Sequence, residues 1–402
     1  MTSILKAPKL LISLLLLPVF LFFQLSHANA SLPLPTDKLV NYVYIGELTK
    51  DQARIALDKT PPLNTLAVNY SLELYKINYK TPAPDGHLSL VSGLVLMPKS
   101  PTEPVDIVSY NHGTRVGKRD APSSFYEKDF PVYATFGSSG GYMVVMADYL
   151  GFGDSELDLH PYVQADTLAQ SSIDMLLAAK ELAQQLNYPI NDELYLTGYS
   201  EGGFTTIVMY ESMLKNYPEI SVTAVAPGSA PYDFDETIPF VALQPGPRAT
   251  LYLAYFFYSM QTYKHYWPSL DAIFVKPYDT LVPELFDGYH TVPEILKALP
   301  QDPSLIFHAS FFYGILDGTD EHASDLRYNF NHYDFKATSP LLLVGSKGDK
   351  DVPYHGAEIA YQQLKSKSDK VYIKHVSEVL DHVEAYPYVL KEQLEFFKSV
   401  NK

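Results

Sequence analysis

The sequence predicts an α/β fold, a mostly parallel central sheet flanked by helices with an inserted, mainly helical cap, and three observations lead there. Several short apolar runs each end in a glycine-containing or polar loop and are followed by a helical pattern. One such junction reads Gly198-Tyr199-Ser200-Glu201-Gly202, a G-x-S-x-G pattern whose glycines suit a turn too tight for side chains. Late in the chain, residues 231–335 hold 23 aromatics in 105 positions against 13% aromatic overall, which marks an insertion between two strands.

In chain order, Lys6 and Lys9 precede the apolar run Leu10 to Phe23, and Ala28-Asn29-Ala30 follows it. Charged region, apolar region and small-residue site together read as a signal peptide, residues 1–30, cut after Ala30. Ala7 to Leu25 is long enough to span a bilayer, but Pro18 and the A-x-A site weigh against an uncleaved anchor. Residues 31–66 read as an N-terminal extension with one short helix, Lys50 to Lys59. Tyr70 to Lys80 and Leu88 to Met97 alternate around Pro82-Ala83-Pro84-Asp85-Gly86, the pattern of a hairpin.

The strand Val105 to Tyr110 runs into Asn111-His112-Gly113-Thr114, and the strand Tyr142 to Ala147 into the glycine-rich loop Asp148 to Ser155. Glu193 to Thr197 supplies the strand before Ser200, and Gly203 to Leu214 the helix after it. Within the insertion that follows Val222 to Val225, Leu251 to Tyr258 and Ile306 to Tyr313 are apolar enough for buried helices. Pro340 to Val344 is a strand ending in the loop Gly345 to Pro353; a helix from His355 to Lys365, a strand from Val371 to Val376 and a loop holding His382 come next. The chemistry-bearing segments straddle the chain and must meet in one fold, so residues 31–230 and 336–402 form one catalytic domain and 231–335 a cap.

A serine on such a turn is a candidate nucleophile, and acyl transfer at serine needs a base of near-neutral pKa held by a carboxylate. Ser200, then an acid, then a histidine is the order these residues take along the chain. His382 is the expected base; His375, inside a strand among apolar neighbours, suits packing better. Asp349 and Asp351 both qualify as the acid. Asp349 is preferred because Asp351 abuts Val352-Pro353 and is placed to cap the following helix. Gly198 and Gly202 frame the elbow, and an oxyanion would be held by backbone amides near Gly113 or Thr114 and at Glu201. His112, directly after a strand, reads as structural.

Asn111-His112-Gly113-Thr114, Asp148-Tyr149-Leu150-Gly151-Phe152-Gly153 with His160-Pro161-Tyr162, Gly198 to Gly203, Asp349 to Pro353 and Asp381 to Glu384 together resemble the secretory lipase family of α/β hydrolases, over nearly all of the chain after residue 30. The resemblance implies a Ser200, Asp349, His382 triad, an oxyanion hole near Gly113, Thr114 and Glu201, a helical cap over the site, and carboxylic ester substrates, often acyl glycerols. The chain departs from many fungal members in having no cysteine, and therefore no disulfide.

The cysteine count also excludes a lipid-anchored lipoprotein, so export to a periplasm or beyond the cell rests on the signal pattern alone. Removing residues 1–30 takes Lys and Arg from 30 to 28 against 46 acids, a net charge of −18, which disfavours nucleic acid and anionic bilayers as partners. The expected partner is a small-molecule or lipid ester, with no membrane span after cleavage. No metal-ligand spacing or phosphate loop occurs and no cofactor is expected; none of the twelve histidines makes an H-x-x-H pair. Three rivals remain open on the sequence: a short-chain or carbohydrate esterase acting on acetyl or feruloyl groups, a serine exopeptidase, and a noncatalytic binding protein on the same scaffold.

Overall fold

The computed structural model describes residues 37–400. The expected signal peptide, the first residues of the extension and the two terminal residues lie outside that range. Nine strands form one sheet: β1 (Leu39–Leu48), β2 (Leu72–Pro82), β3 (Leu88–Pro98), β4 (Val105–Asn111), β5 (Met143–Ala147), β6 (Ile190–Tyr199), β7 (Ala224–Gly228), β8 (Leu341–Gly345) and β9 (Val371–His375). Their order is β1-β2-β3-β5-β4-β6-β7-β8-β9. The first three strands and the β3–β5 pair are antiparallel, and every pair from β5 onward is parallel. The expected hairpin is β2 and β3, in register from Leu72 opposite Pro98 to Pro82 opposite Leu88.

Helices α1 (Lys50–Asp58), α2 (Phe130–Val132), α3 (Ala165–Gln185), α4 (Glu201–Asn216), α5 (Phe234–Leu243), α6 (Ala249–Lys264), α7 (Tyr278–Leu285), α8 (Val292–Ala298), α9 (Ala309–Leu316), α10 (Ala323–Phe330), α11 (Tyr354–Lys367) and α12 (His382–Val400) complete the described chain. α2 continues into a π-helical stretch, Tyr133–Ser139. β5, β7 and β8 are buried at every residue, as parallel strands covered on both faces must be. Alternation along β4 assigns the faces: Val108 and Tyr110 share a core cluster with Val389, Leu390, Leu394 and Phe397 of α12, whereas Ser109 and Asn111 reach Met209 and Thr206 of α4. α4 and α12 therefore clamp the middle of the sheet from opposite sides.

Three elements differ from the sequence expectation. The extension contributes a ten-residue edge strand, β1, as well as a helix. Its Val43 and Tyr44 face solvent on both sides of the strand, 56% and 52% exposed, so no polar–apolar alternation marks it. α3 has no clear amphipathic signal in the sequence, because alanines and apolar residues bury most of its circumference and leave no single stripe. In the insertion, Ile306 and Phe307 precede the helix, and Phe307 bridges to Phe274 before α9 begins at Ala309. α5 to α10 otherwise all fall between β7 and β8, where the cap was expected.

Candidate active site

Ser200 is the junction between β6 and α4, with φ 61° and ψ −125°, a region costly to any residue bearing a Cβ. Neighbouring structure holds it there: the Ser200 amide donates to the Gly228 carbonyl at 2.9 Å, and the Phe204 amide to the Ser200 carbonyl at 3.0 Å. The flanking glycines are obligatory for close approach. A Cβ on Gly202 would lie 1.9 Å from the Asn111 carbonyl oxygen, and one on Gly198 2.3 Å from the Gly202 carbonyl oxygen. The elbow thus presses against the end of β4, and Gly113 just beyond that strand is packed against Ser200; a Cβ there would sit 3.3 Å from the Ser200 Cβ.

Ser200 Oγ lies 2.9 Å from His382 Nε2, and His382 Nδ1 lies 2.6 Å from Asp349 Oδ2. Residues 182 and 33 positions apart are brought into one chain of contacts, all three buried. The other Asp349 oxygen accepts from the amides of Asp351 and Val352, each at 2.9 Å. Burial works against the His382 imidazolium, but the Asp349 carboxylate more than offsets it, and the ring's pKa is held above its ordinary value. Tyr199 donates its hydroxyl to the His382 carbonyl at 2.5 Å and sets its ring 5.0 Å from the imidazole.

His382 is the first residue of α12 rather than part of a loop. Asp381 caps that helix: its carboxylate accepts from the Glu384 amide at 2.9 Å while Glu384 accepts from the Asp381 amide at 3.1 Å. The sequence signal was Asp381-x-x-Glu384, a capping-box pattern. His375 is not packed as expected. β9 is the outer strand of the sheet, and His375 is exposed and 2.9 Å from Glu378.

Asp351 does not cap α11, whose cap position is Pro353 with no side-chain bond. It turns instead to the insertion, where its Oδ2 accepts from Arg248 Nε at 2.5 Å and from the Tyr252 hydroxyl at 3.0 Å. No local pattern announces this pair, since 103 residues separate its members. A second contact without a sequence signal joins Glu201 Oε1 to His160 Nε2 at 2.9 Å, both side chains buried. His112 is buried with its two ring nitrogens facing the Gly113 and Asp148 carbonyls; burial first, and Arg115 next, push its pKa well below the usual range. That environment suits a structural group. Thr114 bonds the Tyr162 hydroxyl through its own at 3.0 Å.

One cavity gathers Ser200 and Glu201 with Tyr162, Tyr252, Phe256 and Phe330, so the insertion forms a wall over the serine. Among the described residues no group of His, Asp and Glu side chains is arranged to hold a metal ion, and no helix is long and apolar enough to cross a membrane.

A hydrolase from Legionella pneumophila subsp. pneumophila str. Philadelphia 1, so described without an assigned substrate, is 62% identical to this chain and superposes with a TM-score of 0.90 over 91% of this chain and 99% of its own. The chain is an α/β hydrolase. Two more distant structures share the fold: the rice cell wall degrading esterase LipA from Xanthomonas oryzae, 23% identical with a TM-score of 0.78 over 90% of this hydrolase and 97% of LipA, and Candida antarctica lipase A, 16% identical with a TM-score of 0.67 over 90% and 81%. Residues 129–219, which carry β5, β6 and the serine turn, match the prolyl oligopeptidase family. No curated protein matches the chain.

Proposed function

We propose that this hydrolase cleaves carboxylic esters through Ser200, His382 and Asp349, in the manner of the secretory lipases, and that it is exported. The observation that carries the reading is the buried relay from Ser200 Oγ at 2.9 Å through His382 to Asp349 at 2.6 Å, opening on a largely apolar cavity. Asp349 accepts from His382 Nδ1–H, which leaves Nε2 bare to take the serine proton. Ser200 then attacks the ester carbonyl, and backbone amides at Gly113 or Thr114 and at Glu201 hold the oxyanion. Proton return from His382 releases the alcohol, and water hydrolyses the acyl-enzyme by the same steps in reverse order of partners. No metal or organic cofactor enters the scheme.

Hydrolysis of p-nitrophenyl esters from acetate to palmitate, with Ser200→Ala alongside, tests this. Ester turnover lost in the variant is expected. Turnover indifferent to Ser200, or activity confined to peptide substrates, would overturn it. The peptidase alternative is favoured by one observation, the match of residues 129–219, and N-terminally free dipeptide p-nitroanilides discriminate it from an esterase. Export through cleavage after Ala30 predicts a mature N-terminus at Ser31, read by N-terminal sequencing.

A further inference from the structure

The loop from Gly345 to Pro353 that carries the acid is fastened to two different parts of the chain. Its first half is tied to the segment leading into His382. The Lys347 amide donates to the Ser377 carbonyl at 2.9 Å, Ser346 Oγ donates to the Leu380 carbonyl at 2.7 Å, and a Cβ on Gly348 would stand 2.3 Å from the Val379 backbone. Its second half reaches the insertion. Arg248 Nε and the Tyr252 hydroxyl both donate to Asp351 Oδ2, at 2.5 and 3.0 Å, and a Cβ on Gly246 would stand 2.6 Å from the Lys350 carbonyl oxygen. Asp349 lies between the two anchorages.

The second anchorage bears on the acid directly. Asp349 Oδ1 accepts from the amides of Asp351 and Val352, each at 2.9 Å, while Oδ2 faces His382 Nδ1 at 2.6 Å. A carboxylate is planar, so the two amides that fix Oδ1 also fix the direction in which Oδ2 points. Where those amides stand depends on where the Asp351 side chain is held. That carboxylate is 1% exposed, and a buried charge without a partner is strongly disfavoured, so it is committed to its donors on the insertion. Both charges are also felt at the base: burial opposes the His382 imidazolium, Asp349 and behind it Asp351 favour it, and Arg248 opposes it.

We infer that Arg248 and Tyr252 are positioning residues for the proton relay: from the insertion they fasten Asp351, whose backbone amide, with that of Val352, aims Asp349 at His382. The insertion is then part of the catalytic apparatus as well as a wall over Ser200. One helix serves both ends, because α6 begins directly after Arg248 and carries Tyr252 together with Phe256, which lines the cavity. The inference rests on the reading of Asp349 as the acid of a serine hydrolase, and it adds two residues that act on that acid only through Asp351.

The test compares two replacements of Asp351 in the full chain, with kcat and KM for p-nitrophenyl butyrate measured well below each variant's melting midpoint. Asp351→Asn removes the charge but keeps an oxygen that can accept from both Arg248 and Tyr252, so kcat should stay within about threefold of native. Asp351→Leu removes the acceptor as well, and leaves Arg248, 22% exposed, free to turn to water. It should lower kcat by about 10²-fold with KM little changed, the scale of a catalytic group displaced by about 1 Å. Arg248→Met combined with Asp351→Asn withdraws the arginine without stranding a buried charge, and should lower kcat by about tenfold, the worth of one hydrogen bond. The far-downfield ¹H resonance of the hydrogen on His382 Nδ1 reads the relay itself; it should persist in Asp351→Asn and shift or broaden in the other two. Native kcat in a folded Asp351→Leu or in the double variant, or a fall in kcat with that resonance unchanged, would overturn the inference while leaving the triad standing. Native-like turnover by Asp349→Asn would instead remove the reading on which it rests.

Discussion

Replacing Asp349 by Asn should disable the relay by reversing a single proton. Asp349 Oδ1 accepts from two backbone amides, those of Asp351 and Val352, each at 2.9 Å. An asparagine must keep its carbonyl oxygen there, because turning its NH₂ group toward two N–H donors would bury three donors face to face. The NH₂ then points at His382 Nδ1, 2.6 Å from where Oδ2 stood, and that nitrogen becomes an acceptor. The imidazole hydrogen moves to Nε2, which faces Ser200 Oγ and can no longer take its proton. Loss of the general base in an otherwise intact serine site lowers kcat by about 10⁴-fold, with KM little changed and the fold retained. Steady-state kinetics on p-nitrophenyl butyrate at pH 8, with a thermal melt beside them, would measure it. A variant within tenfold of the native kcat would refute the tautomer argument and point back to Asp351 as the acid.

Ser200→Ala should lower kcat by roughly 10⁶-fold while the protein stays folded and able to bind ester. The raised pKa of His382 predicts that kcat/KM climbs with pH through a limb lying above about 6.5, since only the neutral ring is a base. By the same linkage, His382 contributes stability that is fully present below that ordinary value and is lost as pH rises through the folded-state value, so a pH–rate limb at or below it would contradict the electrostatic reading. Arg248→Met leaves the Asp351 carboxylate, 1% exposed, with only the Tyr252 hydroxyl, and should cost about 3 kcal/mol in denaturant unfolding. Gly202→Ala, whose Cβ would fall 1.9 Å from the Asn111 carbonyl, should cost more than about 3 kcal/mol and surface as lost soluble yield.

What the sequence determined by itself was everything encoded within a few neighbouring residues. The G-x-S-x-G elbow was legible because a turn between strand and helix excludes side chains at Gly198 and Gly202 whatever the rest of the molecule does. The buried parallel strands were legible because unbroken apolar runs can only lie inside, and the chain order of Ser200, Asp349 and His382 was legible because each follows a strand-like segment, β6, β8 and β9. β1 escaped because most of its apolar side chains face solvent, and α3 because it is buried around most of its surface, so neither carries the periodicity that a one-sided element does. Asp351 was misassigned for a related reason: its position before Pro353 fits a helix cap locally, but a buried carboxylate goes to the cation that burial brings to it, here Arg248 from the insertion. Only tertiary structure could decide that, and only tertiary structure could bring the buried Glu201 carboxyl to His160, 41 residues before it in the chain. The partner a buried polar group meets is a property of everything that surrounds it, and no stretch of sequence contains its own surroundings.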